Sequence, residues 1–216
     1  MLTFAEEFLL LSHDEKSGQF HDPAALILDT ALAAAVMMDL ALLNRIDTDL
    51  DTLILVDKTP TGEKALDHVL ALIASDPGQH STNDWLARLR LEGPALRELS
   101  IQRLVERGIL REQDGKFLWV FETRRYPLID EQELQEVKLR IATLLFNDAL
   151  PDPRDVVIIA LADTSGLLRK VFSDAELRRA DARIQQIAKL DLIGQAMRAT
   201  IVELQTALAG AGLLYH

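Results

Sequence analysis

Between Ala24 and Leu43 the chain reads AALILDTALAAAVMMDLALL, and apolar residues continue almost all the way round a helical projection. A helix on a protein surface keeps one polar face, whereas one that is apolar on every side has to be surrounded. The stretch therefore predicts a buried central helix with the remaining elements packed about it. Asp22 suits its N-cap, Pro23 its first position and Asn44 its end. It does not predict a membrane span. The longest candidate, Ala31 to Leu43, falls short of the ~20 residues a bilayer requires and is interrupted by Asp39.

The flanking sequence is mostly helical too. Thr3 and Glu6 have capping-box spacing ahead of a short apolar helix running through Leu11, and the polar turn HDEKSGQF follows it. Arg45 to Asp57 alternates and then turns continuously apolar, a short strand or hairpin. TPTG (Thr59 to Gly62) is a turn before an amphipathic helix carrying Leu66, Val69, Leu70 and Ile73. A short helix from Thr82 to Leu91 carries Trp85. Gly93-Pro94 breaks it, and Pro94 starts the next helix, which ends at Arg107. Further helices are expected over 131–146, 153–162, 174–189 and 192–208. No linker or internal repeat interrupts the chain. The expected architecture is mainly α: one helical domain over 1–216 around a buried central helix, with short β-hairpins.

The segment RLVERGILREQDGKFLWVFETRRYPL (Arg103 to Leu128) carries the first clue to function. Gly108 suits the position just past a helix, and Asp114-Gly115 is a two-residue hairpin signal. The hairpin is expected at about 109–121. Phe117, Leu118, Trp119, Val120 and Phe121 fall on its second arm, and strand neighbours face opposite ways, so they cannot all point into one core. Another element, a partner chain or a membrane must cover some of them.

Charge sharpens this. The chain carries a net −11, which argues against general attraction to nucleic acid or acidic lipid. Yet nine basic residues face six acidic ones between Trp85 and Arg125, leaving a local +3. Two readings stay open: an anion-facing surface, and a solvated helix face of mixed charge. Apolar content of 49% is that of a globular protein, and the absence of cysteine excludes a disulfide framework, a thiolate metal site and a cysteine nucleophile. Glu6 and Glu7 stand where a signal peptide would be basic and apolar, so the expected location is cytoplasmic.

No constellation supports catalysis. His13, His21, His68, His80 and His216 are scattered without metal-ligand spacing, and no metal or cofactor is expected. TPTGEK lacks the spacing of a phosphate-binding loop, and no GxSxG elbow occurs. ALADTSG (Ala160 to Gly166) has the letters of an aspartic-protease turn but helical patterns on both sides, so it reads as a helix ending at a glycine. A helix followed by a basic hairpin also has the order of a winged-helix domain. The overall acidity opposes that reading, and no nucleic acid is expected as a partner.

Six segments, in order, carry a resemblance. LTFAEEFLLLSHDEKSGQF is similar to an LTLxEExLLLxLxDxxG opening, MDLALLNRI to IELALRGRI, and TPTG followed by LDHVL to PTGDxLLDEAL. RLVERGIL is similar to RLVEKGVL, the RRYPL exit to FxxTHPL, and PDPRDVVIIALADTSGLLRKVF to DxRxxALIxLAxAxxxLxxxF. These are the patterns of the Golgi phosphoprotein 3 family, and the chain resembles a bacterial-type member. The resemblance implies a non-enzymatic peripheral membrane protein with a mostly helical fold. Eukaryotic members bind phosphatidylinositol 4-phosphate on a basic face, use an exposed hairpin for membrane contact and self-association, and bridge coat proteins to glycosyltransferase tails.

Carried over by position, the family's headgroup tryptophan and arginine near the central helix fall on Ala24 and Ala33. The two arginines before the hairpin fall on Pro94 and Arg97. The resemblance thus implies an anionic-headgroup site at Arg97, with Trp85, Arg103 and Arg107 rebuilding the pocket. It also implies a hairpin contact through Phe117, Leu118, Trp119 and Val120, made with a membrane or with another copy of the chain. A purely protein–protein module is the other reading.

Overall fold

The computed structural model describes residues 1–20, 25–49, 52–115, 123–147 and 149–189. Helix α1 (Phe4–Ser12) opens with the capping box read from the sequence: the Thr3 hydroxyl accepts from the Glu6 N–H, and the Glu6 carboxylate accepts from the Thr3 N–H. All its residues are buried. Two-residue strands β1 (His13–Asp14) and β2 (Gln19–Phe20) pair antiparallel across the segment read as a plain turn. Asp14 Oδ1 there accepts from the N–H groups of Lys16 and Ser17, and Gly18 takes the left-handed conformation.

Helix α2 (Ala25–Leu42) is the buried central helix, with Ala31 through Met37 wholly inaccessible to solvent. It ends in a Schellman motif. Asn44 lies at φ 53°, its N–H reaches the Ala41 carbonyl, and the Arg45 N–H reaches that of Leu40. Strands β3 (Ile46–Thr48) and β4 (Leu53–Leu55) form the expected hairpin.

Helices α3 (Lys64–Ser75), α4 (Thr82–Leu89) and α5 (Gly93–Glu106) follow. Gly93-Pro94 does not break the chain as expected. A 3₁₀ turn over Arg90–Glu92 carries α4 directly into α5, with Gly93 itself helical at φ −48°, ψ −46°. Proline is tolerated in the first turn of a helix, and the glycine answers a packing need: a Cβ there would lie 2.3 Å from Asp29 Cβ on α2. Gly108 ends α5 as expected, at φ 71°, with the Ile109 N–H returning to the Leu104 carbonyl.

The register of the third hairpin differs from the one its sequence suggests. Strands β5 (Gln113–Gly115) and β6 (Thr123–Arg125) pair Asp114 with Arg124 and Gly115 with Thr123. Asp114-Gly115 therefore lies within a strand and is not a two-residue turn, because the register sets Asp114 opposite Arg124 and Gly115 opposite Thr123. Phe117, Leu118, Trp119, Val120 and Phe121 lie outside the described residues, as do Asp22, Pro23 and the expected helix over 192–208.

Helices α6 (Gln132–Phe146), α7 (Pro153–Thr164), α8 (Leu168–Val171) and α9 (Asp174–Ala188) complete the described chain. ALADTSG is the end of α7, closed by Gly166 at φ 78°. Helices α1, α3, α4, α5 and α7 all pack on α2, while α6 packs on α1 and α9 on α7. The fold is mainly helical about one buried helix, with short antiparallel hairpins at its edge. Among the described residues no helix is long and apolar enough to cross a membrane.

Candidate functional site

The candidate site begins with the arginines of α5. A helix turns about 100° per residue, so Arg103 and Arg107 share a face while Arg97 points about 120° away from Arg103. Arg97 meets Asp29 of α2 at 3.3 Å. Arg103 binds Glu6 at 2.6 Å and Glu63 at 2.5 Å. Arg107 approaches Glu6 at 3.9 Å, binds Glu133 of α6 at 3.0 Å, and donates to the Met1 carbonyl. Of the four residues expected at the headgroup site, Arg103 and Arg107 thus converge, and they do so on a buried carboxylate.

Trp85 sits elsewhere, on α4. It is 5% exposed, edge-on to His80 at 5.6 Å, with the Arg88 guanidinium 5.4 Å from its ring centre. Asp76 holds Arg88 at 2.6 Å, and its carboxyl is pulled down to about 2 by the Gly78 N–H, Arg88 and His80. The indole is a wall of the core with a cation on its face.

Reasoning from sequence missed the ionic cage around α1. Glu7, buried on α1, binds Arg140 of α6 at 2.7 Å and Arg154 of α7 at 2.9 Å. Arg140 also meets Asp155 at 2.8 Å. Arg154 donates to the Leu2 carbonyl and lies over the Phe4 ring, 4.5 Å from its centre. Asp39, in the last turn of α2, accepts from the Phe4 N–H at 2.8 Å. One signal was available: Glu6-Glu7 and Asp39 stand inside apolar runs, and a charge buried on a helix has to be paired.

Burial raises the Asp39 carboxyl to about 7, against the pull of the Phe4 N–H and Arg154 and with the push of Glu7 and Glu6. Glu6 and Asp155 are shifted upward by burial as well. The sign follows from linkage. Between 3.8 and about 7 the folded protein keeps a proton on Asp39 that the unfolded chain has lost, so stability falls as pH rises through that window and levels off above it. Urea unfolding should give a free energy at pH 5 exceeding that at pH 8 by at least ~1 kcal/mol, with Asp39→Asn flattening the slope. A wild-type stability that rises over the same interval would refute this.

The base of the third hairpin is anchored. The Tyr126 N–H donates to the Gly18 carbonyl at 2.7 Å, and His13 Nε2 lies 2.7 Å from the Tyr126 carbonyl oxygen. A carbonyl only accepts, so Nε2 carries the proton, and burial keeps the ring neutral by lowering its pKa. On β6, Arg124 is flanked by Glu98 at 3.3 Å and Glu112 at 3.6 Å. Among the described residues no group of His, Asp and Glu side chains is placed to hold a metal ion.

Comparison with known proteins adds two findings. The family model described as Golgi phosphoprotein 3 (GPP34) matches residues 4–204. Vacuolar protein sorting-associated protein 74 of Eremothecium gossypii is 23% identical over 222 residues, an alignment covering 88% of this chain and 67% of that protein.

Proposed function

Since the chain belongs to the Golgi phosphoprotein 3 family, we propose that it is a non-catalytic adaptor that docks peripherally on an anionic membrane. The observation that carries this reading is the family match over 4–204, which spans both the arginine-bearing helix α5 and the hairpin after it. The relative's name, a sorting-associated protein, accords with work at membranes. Phosphatidylinositol 4-phosphate is the headgroup the family likeness implies. The proposed contacts are Arg97, Arg103, Arg107 and Trp85 for the phosphate groups, and Phe117, Leu118, Trp119 and Val120 for the apolar layer.

Within that set Arg97 comes first. It is the residue that matches the family's headgroup arginine, and its side chain is 29% accessible beside Asp29. Arg97 is paired with Asp29, and Arg103 and Arg107 with Glu6, so a phosphate would draw on any of the three only by weakening those pairs. Attraction is therefore expected to be modest and salt-sensitive, as it is wherever few phosphates are neutralised at an exposed surface.

Co-sedimentation tests this with neutral liposomes, liposomes of bulk anionic lipid, and liposomes containing phosphatidylinositol 4-phosphate. The phosphoinositide vesicles should retain most protein. Arg97→Ala should weaken retention about tenfold, the loss of one charge-assisted contact. Trp119→Ala should weaken it on all anionic vesicles. Equal binding to neutral and anionic vesicles would sink the headgroup reading. An unchanged vesicle affinity with an altered oligomeric state in Trp119→Ala would assign the hairpin to contact between copies.

A further inference from the structure

The junction between α4 and α5 carries an exposed apolar ridge. The 3₁₀ turn runs one helix into the next, so residues three and four apart share a face. Ala87, Leu91, Pro94 and Ala95 have that spacing and all are exposed, Leu91 to 73%. A lone exposed leucine is ordinary. Leu139 on α6 is one: it is 68% accessible, and its helical neighbours are Gln135, Glu136, Ala142 and Thr143. Leu91 differs, because three of its four such neighbours are apolar and the fourth is Arg88.

Cations border this ridge. Arg97 stands one turn beyond Pro94 and pairs with Asp29, and Arg88 pairs with Asp76. Glu92 is bonded to His68 at 2.8 Å and Glu98 to Arg124 at 3.3 Å. Arg90 donates from Nε to the Ala87 carbonyl and meets no carboxylate among the described residues. The ridge thus has a cation in excess beside its most exposed residue. The third hairpin is directed to the same end of α5. Tyr126 shares a cleft with α5 residues between Glu98 and Glu106, and Arg124 pairs at Glu98, the N-terminal limit of that span. Followed from Tyr126 to Thr123, the strand therefore runs toward Pro94 and the ridge.

We propose that Leu91, flanked by Pro94 and Ala95, inserts into the acyl layer of an anionic bilayer while Arg90 binds a lipid phosphate. The inference rests on the peripheral docking proposed for this chain and gives it a point of entry separate from the hairpin. Shape and charge together favour a bilayer. A leucine 73% accessible on a helix junction stands proud of the surface, and acyl chains close round such a side chain without offering a matching pocket. An arginine one residue away keeps its head at the level of the phosphates while its stem lies along the apolar layer.

The chain has no cysteine, so Leu91→Cys gives a single attachment point for an environment-sensitive fluorophore, with Leu139→Cys as the control. On vesicles of phosphatidylcholine and phosphatidylserine the label at 91 should shift to the blue and be quenched by spin-labelled acyl chains. The label at 139 should do neither. In co-sedimentation with the same vesicles, Leu91→Ala should weaken partitioning about tenfold. Arg90→Ala should weaken it about fivefold. If wild type sediments with the vesicles while the label at 91 stays in water and Leu91→Ala partitions unchanged, insertion is overturned and peripheral docking stands. Wild type that binds no vesicle overturns both. A blue shift that appears on concentrating the protein without lipid assigns the ridge to contact between copies of the chain, and overturns insertion as well.

Discussion

Gly93→Ala should destabilise the protein by about 2–3 kcal/mol, although alanine is the better helix former. Propensity alone predicts a gain of up to ~1 kcal/mol, because Gly93 already has helical backbone angles. Packing reverses the sign. The added Cβ would stand 2.3 Å from Asp29 Cβ and 2.5 Å from its Cγ, so α5 must back away from α2 or Asp29 must leave Arg97. Urea unfolding of Gly93→Ala, of Asp29→Gly and of the double variant forms a cycle that isolates the clash, with a coupling of at least ~1 kcal/mol expected. A stabilised Gly93→Ala would show that α2 and α5 have room to separate.

Glu7→Ala should cost still more, about 3–5 kcal/mol. The carboxylate is 3% accessible and serves two guanidinium groups, Arg140 at 27% and Arg154 at 17% exposure. Removing it leaves both desolvated, with Arg140 falling back on Asp155 and Arg154 on the Leu2 carbonyl. The cost is therefore that of stranded charge. It follows that Arg154→Ala made in the Glu7→Ala background should cost less than in wild type, and Glu7→Gln should cost less than Glu7→Ala. Thermal and urea unfolding measure both. A loss below ~1 kcal/mol for Glu7→Ala would place this cluster with exposed ion pairs.

What the sequence made legible was local. The Thr3–Glu6 capping box, the all-round apolar α2, the Gly108 stop and the helical ALADTSG each depend on neighbours within a few turns. Gly93 was misread because a glycine beside a proline signals a break equally well as a close approach, and only the partner helix distinguishes them. Asp114-Gly115 was misread because a turn signal carries no information about register, which Asp114 and Arg124 set across the hairpin. The β1–β2 pair was missed because strands of two residues show no alternation. At the candidate site the arginines were visible and their partners were not. Asp29, Glu6 and Glu133 come from three other helices or their edges, so the sequence showed a basic segment where the fold has largely neutralised one.

The ionic cage also bears on how the chain is made. Glu7 meets Arg154 across 147 residues of sequence, and Glu6 meets Arg103 across 97. At the usual ~5–20 residues per second, roughly 7–30 s of translation separate the synthesis of α1 from that of its last ionic partner. Through that interval a helix that ends up buried on every side gains its neighbours stepwise, α2 first and then α5 and α6, and Glu7 meets Arg140 before it meets Arg154. The nascent chain thus offers a ribosome-associated chaperone a long window on an apolar N-terminal segment, which closes only when α7 arrives.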